Sequence, residues 1–398
     1  MCIRDSIYIK LNTLFKINFY FYLKLEMKIF FPKESEKETR SALDLASAKR
    51  LIDLGIEVSF ESGVTQKIDI ADQDLEEIGC KNESRSEGLS NSEIISSVNH
   101  LPLSDLDSVS ENTLTISFLD VFNEKEFLEK LKQRKIISIS MELIPRITRA
   151  QKMDALSSQA NLAGYSAVML ASSEMNKAMP MMMTAAGTIS PARVFVIGVG
   201  VAGLQAMATA KRLGARVEAF DTRPAVEEQV KSLGARFIKI DIGETEETDQ
   251  GYAKELTEKQ LELQREGMKK VCGYSDIVIT TAQVFGKPAP RILSEDMISS
   301  MQPGSVIVDM AVTTGGNVEG SVLGKTIEKN GVKIIGHENL PGYVPEHSTQ
   351  VYASNIYNLI EEFWDKDTKK LELDESDEIL KSCIVTKDGN YISEILRR

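Results

Sequence analysis

The sequence predicts an α/β protein made of two doubly wound, Rossmann-like parallel-sheet domains, the first of which is completed by the C-terminal segment. Short β-rich runs alternate with helical patterns in both halves of the chain, which is typical of parallel sheets with crossover helices. A glycine-rich turn of the dinucleotide-binding type follows one of these runs in the middle of the chain. The length of 398 residues also exceeds that of one compact domain.

The first half of the chain opens with a predicted βαβ unit, whose helix ends at Gly55. Nine serines occur among residues 84–110, and this composition predicts a loop or a loosely packed segment. The spacing of apolar residues predicts strands at 29–31, 58–60, 114–119 and 136–139, and helices at 39–54 and 124–134.

The second half is richer in glycine, because 19 of the 25 glycines lie between residues 187 and 342. A polar insertion, Gly243–Cys272, separates the third and fourth strands of this half, and a helix at 352–364 and a weak strand at 383–385 follow the last. We find no internal tandem repeat. Strands are predicted at 194–198, 216–220, 236–240, 276–280, 305–308 and 332–335.

These patterns predict the domain boundaries. The first domain comprises residues 27–145 plus 341–398, and the second, with its connecting helix, comprises 146–340. Residues 1–26 differ from the rest of the chain, since they consist mainly of Ile, Tyr, Lys, Leu, Asn and Phe. Lysines interrupt their apolar stretches, so a membrane span fits poorly, and no small-residue cleavage site follows, so a signal peptide fits poorly too. An interfacial amphipathic anchor is the alternative. We expect this segment to be a spurious extension.

Composition argues against several classes of protein. The net charge of −12 disfavours non-specific nucleic-acid binding, which depends on cationic patches. Four widely spaced cysteines form no disulfide framework or zinc motif. With three histidines and no HExxH motif, we expect no metal site. A cytoplasmic, multidomain protein remains.

The glycine-rich turn runs from an apolar strand into a helix, as Gly198-x-Gly200-x-x-Gly203. In this motif the first glycine allows the tight turn, the second lets the backbone approach a pyrophosphate, and the third lets helix and strand pack closely. Asp221 ends the next strand, 18 residues past Gly203, where an acid accepts hydrogen bonds from an adenosine ribose and repels a 2′-phosphate. The alternative to a nucleotide site is that these glycines serve tight packing alone.

The candidate cofactor is NAD(H). Arg223 complicates the choice, because an arginine near the acid favours a 2′-phosphate, but Asp221 stands at the expected strand end. The candidate cofactor-binding residues of this region are Gly198, Gly200, Val201, Gly203, Asp221, Thr222 and Arg223.

A polar loop, residues 141–161, concentrates Arg, Gln, Asp, Ser and Asn between the two predicted domains. Its composition fits a solvated linker and helix start equally well. A polar loop beside a dinucleotide-binding fold is also well placed to close over the nicotinamide end of the nucleotide.

From residue 27 to residue 398 the chain resembles the NAD(H)-binding component, the alpha-1 subunit or domain I, of the proton-translocating NAD(P) transhydrogenases. The stretches that carry the resemblance are PRITRAQKMDALSSQANLAGY (145–165), PMMMTAAGT (180–188), PARVFVIGVGVAGLQAMATAKRLGA (191–215), ITTAQVFGKPAP (279–290) and PGSVIVDMAVTTGGN (303–317).

The resemblance implies roles for further residues. The family's RQD loop maps onto Arg146, Gln151 and Asp154, with Ser157 one turn on, and these residues would hold the nicotinamide and its ribose as the catalytic set. The insertion resembles the family's mobile loop, here carrying Gly251 and Tyr252. Two further positions that line the site in relatives are Gln264 and Gln283, although Gln283 replaces a residue that is usually apolar.

The resemblance also implies the reaction and its partners. The enzyme would be a Si/Re-specific transhydrogenase that transfers hydride between NAD(H) on this chain and NADP(H) on a beta subunit. A membrane-spanning subunit would complete the complex, this chain would form a homodimer, and it would lie in the cytoplasm, peripheral to the inner membrane. Neither a metal nor nucleic acid is expected.

Two alternatives remain. Alanine dehydrogenase shares the fold, and the Pro32–Arg40 stretch resembles its substrate-arginine motif. However, no Lys-Glu-Pro motif occurs in the Ser-rich region, Ile116–Val121 contains no histidine, and Thr313 stands where that family carries an acid. The other alternative is a regulatory subunit that senses NAD(H) without turnover.

Overall fold

The computed structural model describes residues 27–241 and 257–396. The predicted extension 1–26, and Gly251 and Tyr252 of the insertion, lie outside the described residues. The chain divides into two compact units: unit 1 comprises the residues up to Leu156 together with those from Pro345 onward, and unit 2 comprises Ser157–Val344. Within the described part of the chain, no helix is both long and apolar enough to cross a membrane.

The elements are numbered in chain order. The strands are β1 (Lys28–Phe31), β2 (Glu57–Glu61), β3 (Lys81–Glu83), β4 (Ile94–Asn99), β5 (Leu114–Phe118), β6 (Ile137–Ser140), β7 (Met182–Thr184), β8 (Gly187–Ile189), β9 (Arg193–Ile197), β10 (Arg216–Phe220), β11 (Arg236–Phe237), β12 (Ile277–Thr280), β13 (Val306–Asp309), β14 (Lys325–Lys329), β15 (Val332–Gly336), β16 (Trp364–Asp365), β17 (Lys370–Leu371), β18 (Ile384–Lys387) and β19 (Asn390–Tyr391). The α-helices are α1 (Leu45–Asp53), α2 (Asp72–Glu77), α3 (Arg85–Asn91), α4 (Lys125–Gln133), α5 (Ala155–Glu174), α6 (Val201–Arg212), α7 (Glu227–Ser232), α8 (Glu258–Tyr274), α9 (Glu295–Ser300), α10 (Pro345–Glu362) and α11 (Glu378–Cys383).

The main sheet of unit 1 has the strand order β19-β18-β6-β5-β4-β1-β2-β3. The six strands from β1 to β6 are parallel and follow the doubly wound order 3-2-1-4-5-6. β18 and β19, which come from the C-terminal segment, extend the sheet in antiparallel fashion beyond β6. The predicted completion of the first domain by the C-terminal segment is therefore confirmed.

The Ser-rich region of unit 1 corrects one prediction. Residues 84–110 are not a loose loop, because they form α3, the central strand β4 and a short 3-10 helix. Two of the serines, Ser96 and Ser97, are buried in β4, and their hydroxyls donate to the carbonyl oxygens of Ile116 and Asn99. Serine composition was misleading because neighbouring carbonyls satisfy the hydroxyls inside the sheet.

The main sheet of unit 2 has the order β11-β10-β9-β12-β13-β15-β14. All of its strands are parallel except β14, an antiparallel edge strand that was not predicted from the sequence.

In unit 1, the first predicted helix is shorter than expected, since it begins at Leu45 after the Asp44 cap rather than at residue 39.

The predicted polar insertion of unit 2 is described only from residue 257 onward, and that part is regular. Its second half forms the regular crossover helix α8, which begins with a capping box between Thr257 and Gln260. The segment from 258 to 272 therefore belongs to the doubly wound framework, and both sheets confirm the predicted fold class.

Buried carboxylates satisfy backbone donors at the carboxyl edge of the unit 1 sheet. Glu34, just after β1, accepts hydrogen bonds from the backbone N–H groups of Val98 and Asn99 at the end of β4. Burial raises the pKa of Glu34 to about 7, although these hydrogen bonds oppose the shift. Glu38 and Arg40 form a buried ion pair beside it, and hydrogen bonds and charge from Arg40 overcome the effect of burial to hold the pKa of Glu38 at about 2.

The raised pKa of Glu34 makes the stability of the protein pH-dependent. Because the pKa in the folded state exceeds the ordinary value of 4.5, the favourable contribution of the neutral carboxyl is complete below 4.5 and is lost as the pH rises through about 7. We expect Glu34→Gln, relative to the wild type, to gain on the order of 2 kcal/mol between pH 5.5 and pH 8.5 in urea denaturation. The exposed Glu36→Gln is the matched control, and an equal difference at both pH values would contradict this burial effect.

Candidate functional site

The glycine turn of unit 2 lies where the strand order of its sheet reverses. β9 and β12 are neighbours in the sheet but not in the sequence, and crevices at such switch points hold ligands in doubly wound folds. Gly198 follows β9 with φ +102°, and a Cβ added there would lie 2.5 Å from the Thr281 Oγ1. Thr281 follows β12, and its hydroxyl donates to the Gly198 carbonyl oxygen over 3.0 Å. The ends of the two strands are thus fastened together.

The other two glycines of the turn differ in their surroundings. A Cβ on Gly203 would lie 2.0 Å from the Gly198 carbonyl oxygen, so the first turn of α6 packs directly on the glycine turn. Around Gly200, the N-cap of α6, a Cβ would meet nothing within 4 Å, and no side chain caps the helix there. The start of α6 is therefore uncapped by a side chain and unobstructed at Gly200, and helix N-termini of this kind are favourable places for a phosphate group.

Asp221 lies at the end of β10, beside the glycine turn. Its Oδ2 accepts the backbone N–H of Val199 at 2.7 Å, and Arg223 donates to both carboxylate oxygens. Burial acts to raise the pKa of Asp221, but the hydrogen bonds from Arg223 and Val199 outweigh it and hold the pKa below its usual range. Asp221 is therefore ionised at neutral pH. Thr222, which lies between Asp221 and Arg223 in the chain, is exposed.

The polar loop up to Leu156 belongs to unit 1 and includes a 3-10 helix, Thr148–Met153. Met153 points into the core, whereas Arg146 and Gln151 are exposed and Asp154 is half-buried.

Other side chains hold this loop in place. Arg149 pairs with Asp377, Lys152 pairs with Glu362, and the side-chain amide of Asn355 donates to the Lys152 carbonyl oxygen. The structure thus separates the charged residues that anchor the loop, Arg149 and Lys152, from the outward-facing Arg146 and Gln151.

Helix α5 continues from this loop into unit 2 and carries Ser157 in its first turn. Gly164 lies seven residues further along, and a Cβ added there would be 2.2 Å from the carbonyl oxygen of Ala202 in α6. The two helices are therefore in backbone contact, and only glycine fits at residue 164. Val201, which begins α6, is exposed next to this contact.

The remaining candidates lie on separate elements of unit 2. Gln264 is half-buried on α8, and the Gln283 amide donates to the Met310 carbonyl oxygen after β13. Asn317, a buried residue at the end of the 303–317 stretch, was not singled out from the sequence. Its side-chain amide accepts the backbone N–H of Ala282 and donates to the Ala282 carbonyl oxygen. The Asp309 carboxylate in turn accepts the backbone N–H of Asn317, and this hydrogen bond stabilises the loop after β13. Among the described residues there is no cluster of potential metal ligands.

Three comparisons place this geometry among known proteins. Profiles described as "Alanine dehydrogenase/PNT", N-terminal and C-terminal domain, match residues 30–163 and 167–394. The first part of NAD(P) transhydrogenase subunit alpha from Rhodospirillum rubrum is 44% identical to this chain over 380 residues. The aligned region covers 93% of this chain and 99% of that protein.

Solved structures agree. The crystal structure of transhydrogenase from Sinorhizobium meliloti matches with a TM-score of 0.83 and 40% identity, covering 92% of this chain and 99% of that one. An L-alanine dehydrogenase structure matches with a TM-score of 0.77 at 22% identity, over 93% and 98% of the two chains, which shows the shared fold alone.

The helix contact at Gly164 can be tested by substitution. We expect Gly164→Ala to lower the free energy of unfolding by about 1–3 kcal/mol in urea denaturation, because a methyl group must push two backbones apart. Gly273→Ala in α8 is the control, since its Cβ would come no closer than 3.3 Å to the Ser300 carbonyl oxygen. Equal stability of the two variants would show that the contact at Gly164 does not fix α5 against α6.

Proposed function

The chain belongs to the family of alanine dehydrogenases and NAD(P) transhydrogenase alpha subunits, and we propose that it is the NAD(H)-binding component of a proton-translocating NAD(P) transhydrogenase. Hydride would pass between NAD(H) on this chain and NADP(H) on a partner subunit. The observation that carries the proposal is the open glycine turn with the ionised Asp221 at the end of the adjacent strand. This arrangement suits a dinucleotide whose adenosine ribose bears free hydroxyls.

The glycine turn would bind the pyrophosphate. The N–H groups at the start of α6 supply donors and the positive end of the helix dipole, and Gly200 leaves space for close approach. Asp221 would bind the ribose and disfavour NADPH through its charge. Thr222 and Val201, both exposed beside this turn, would contact the nucleotide, as would Gln264 and Gln283.

The polar loop would orient the nicotinamide. Arg146, Gln151 and Asp154 on the loop, with Ser157 on α5, would hold the ring and its ribose for transfer. The two half-reactions are the same chemistry, so no general acid or base is needed, and catalysis rests on proximity, orientation and exclusion of water. The anchoring of the loop by Arg149 and Lys152 supports this role, because orientation requires a fixed support.

The partners follow from the same proposal. A beta subunit would supply NADP(H), a membrane-spanning subunit would carry the protons, and this chain would lie on the cytoplasmic side, peripheral to the inner membrane. The Rhodospirillum rubrum relative is by its name one portion of an alpha subunit, which supports a multi-subunit complex.

A homodimer is also proposed, and the β7–β8 hairpin supports it. All six residues of these two strands are exposed, and Met181 and Met183 are exposed to 59% and 81%. No charged residue occurs between Lys177 and Arg193. An isolated two-stranded hairpin is marginally stable in water, and adaptable methionine side chains are common at binding surfaces. A second copy of the chain would cover this hairpin.

The orienting role of the loop is tested with Gln151→Asn in the complex reconstituted with the beta and membrane subunits. We expect the single-turnover rate of hydride transfer to fall by about tenfold or more while the Kd for NADH changes by less than about twofold, because orientation acts in the transition state. Gln133→Asn on α4 is the matched control. An unchanged rate of hydride transfer would show that the loop serves only as a linker. In a separate assay, oxidation of NADH with pyruvate and ammonia by this chain alone would favour the alternative that the chain is an alanine dehydrogenase.

The hairpin is tested by light scattering. We expect the wild type to have twice the 44.2 kDa mass of one chain and Met183→Glu to dissociate at micromolar concentration, since the charge would be buried unpaired in the interface. Leu323→Glu, at a residue exposed to 49% elsewhere in unit 2, is the control. A dimeric Met183→Glu variant would rule out the hairpin as the interface.

A further inference from the structure

The hydrogen bonds of Asp221 have a consequence for nucleotide selection. The Oδ1 atom accepts the Arg223 backbone N–H at 2.9 Å and the Arg223 Nε at 3.0 Å. The Oδ2 atom accepts the Val199 N–H at 2.7 Å and the Arg223 Nη2 at 3.0 Å. A carboxylate offers about four lone-pair positions, so this one is fully occupied.

The four donors fall into two pairs. Two are backbone N–H groups, fixed by the glycine turn and by the chain after β10. The other two belong to the Arg223 guanidinium, which also donates to the Val199 carbonyl oxygen at 3.2 Å. The Arg223 side chain is exposed to 62%, whereas that of Asp221 is exposed to only 8%. The guanidinium therefore covers the acid from the solvent side.

We propose that the Arg223 side chain gates the adenosine-ribose subsite and is displaced when NAD(H) binds. This inference rests on the proposed function. An adenosine ribose presents two hydroxyl donors, and the acid can accept them only when two donors leave. The guanidinium supplies two, so the hydroxyls replace it one for one while both backbone donors stay in place.

Displacement is feasible because the Arg223 side chain is itself largely exposed, so the released guanidinium can be hydrated by water. The carboxylate of Asp221 stays hydrogen-bonded throughout, since the two ribose hydroxyls take the places of the two guanidinium donors. Once released, the guanidinium remains beside the ribose, where it would meet a 2′-phosphate. Arg223 thus lowers the affinity for NADH, which must displace it, and raises the affinity for NADPH, which gains a cationic partner. It is a specificity-determining residue.

The experiment is calorimetric titration of the full chain with NADH and with NADPH. Arg223→Gln removes the gate, and Arg236→Gln is the matched control, because it removes the same charge from an exposed arginine that pairs with Glu218 of β10. We expect Arg223→Gln to bind NADH about two- to fivefold more tightly than the control variant does and NADPH about tenfold more weakly. If Arg223 made only a structural contact, its loss would lower the affinity of the protein for both nucleotides.

The outcomes separate the gate from the proposed function. Wild-type protein that binds neither nucleotide contradicts the proposed function and the gate with it. Wild-type protein that binds NADH while Arg223→Gln shows no tighter NADH binding than the control contradicts the gate alone. Unchanged NADPH affinity in Arg223→Gln also overturns the gate, because the guanidinium would then make no contact with the 2′-phosphate.

Discussion

Backbone groups at the carboxyl edge of a parallel sheet must find hydrogen-bond partners, and the two units of this protein meet that constraint differently. In unit 1, Glu34 accepts the N–H groups at the end of β4, and Glu142 accepts that of Leu119 after β5. The edge is occupied by side chains of the chain itself. In unit 2, Asp309 and Asn317 satisfy the loops after β12 and β13, but the start of α6 is left open. The six parallel strands thus follow the same order in both sheets, but their carboxyl edge is filled in one unit and available in the other.

Glycine makes the open edge of unit 2 possible. Gly203 lets α6 begin directly on the turn, and Gly164 lets α5 lie against the first turn of α6. The helix that carries Ser157 is therefore fixed to the helix that would hold the pyrophosphate. In this way packing within unit 2 links the two ends of the proposed nucleotide site, and the selectivity of the site rests on the polar contacts of Asp221.

Features of the fold and of the site that depend on hydrophobic periodicity or on a short motif could be predicted from the sequence. The parallel strands other than β3 and β4, the glycine turn and the acid at the end of β10 could be predicted because apolar spacing and backbone geometry determine them. The Ser-rich strand β4 could not, because serine hydroxyls bond to carbonyls of the neighbouring strand, which are remote in sequence. The covering of Asp221 by Arg223 was equally invisible, since side-chain pairing follows from rotamers rather than from spacing. The anchoring roles of Arg149 and Lys152 depend on residues of α10 and on the cap of α11, which are remote in the chain.

The central claim is that hydride passes directly from NADH on this chain to an NADP-type acceptor on its partner. The most direct measurement uses NADH deuterated at the transferred C4 position, with the reconstituted complex in ordinary water and mass spectrometry of the reduced acceptor. Direct transfer between apposed rings predicts that the acceptor keeps the deuterium. Loss of the deuterium to water, or its absence from the acceptor, would contradict the account.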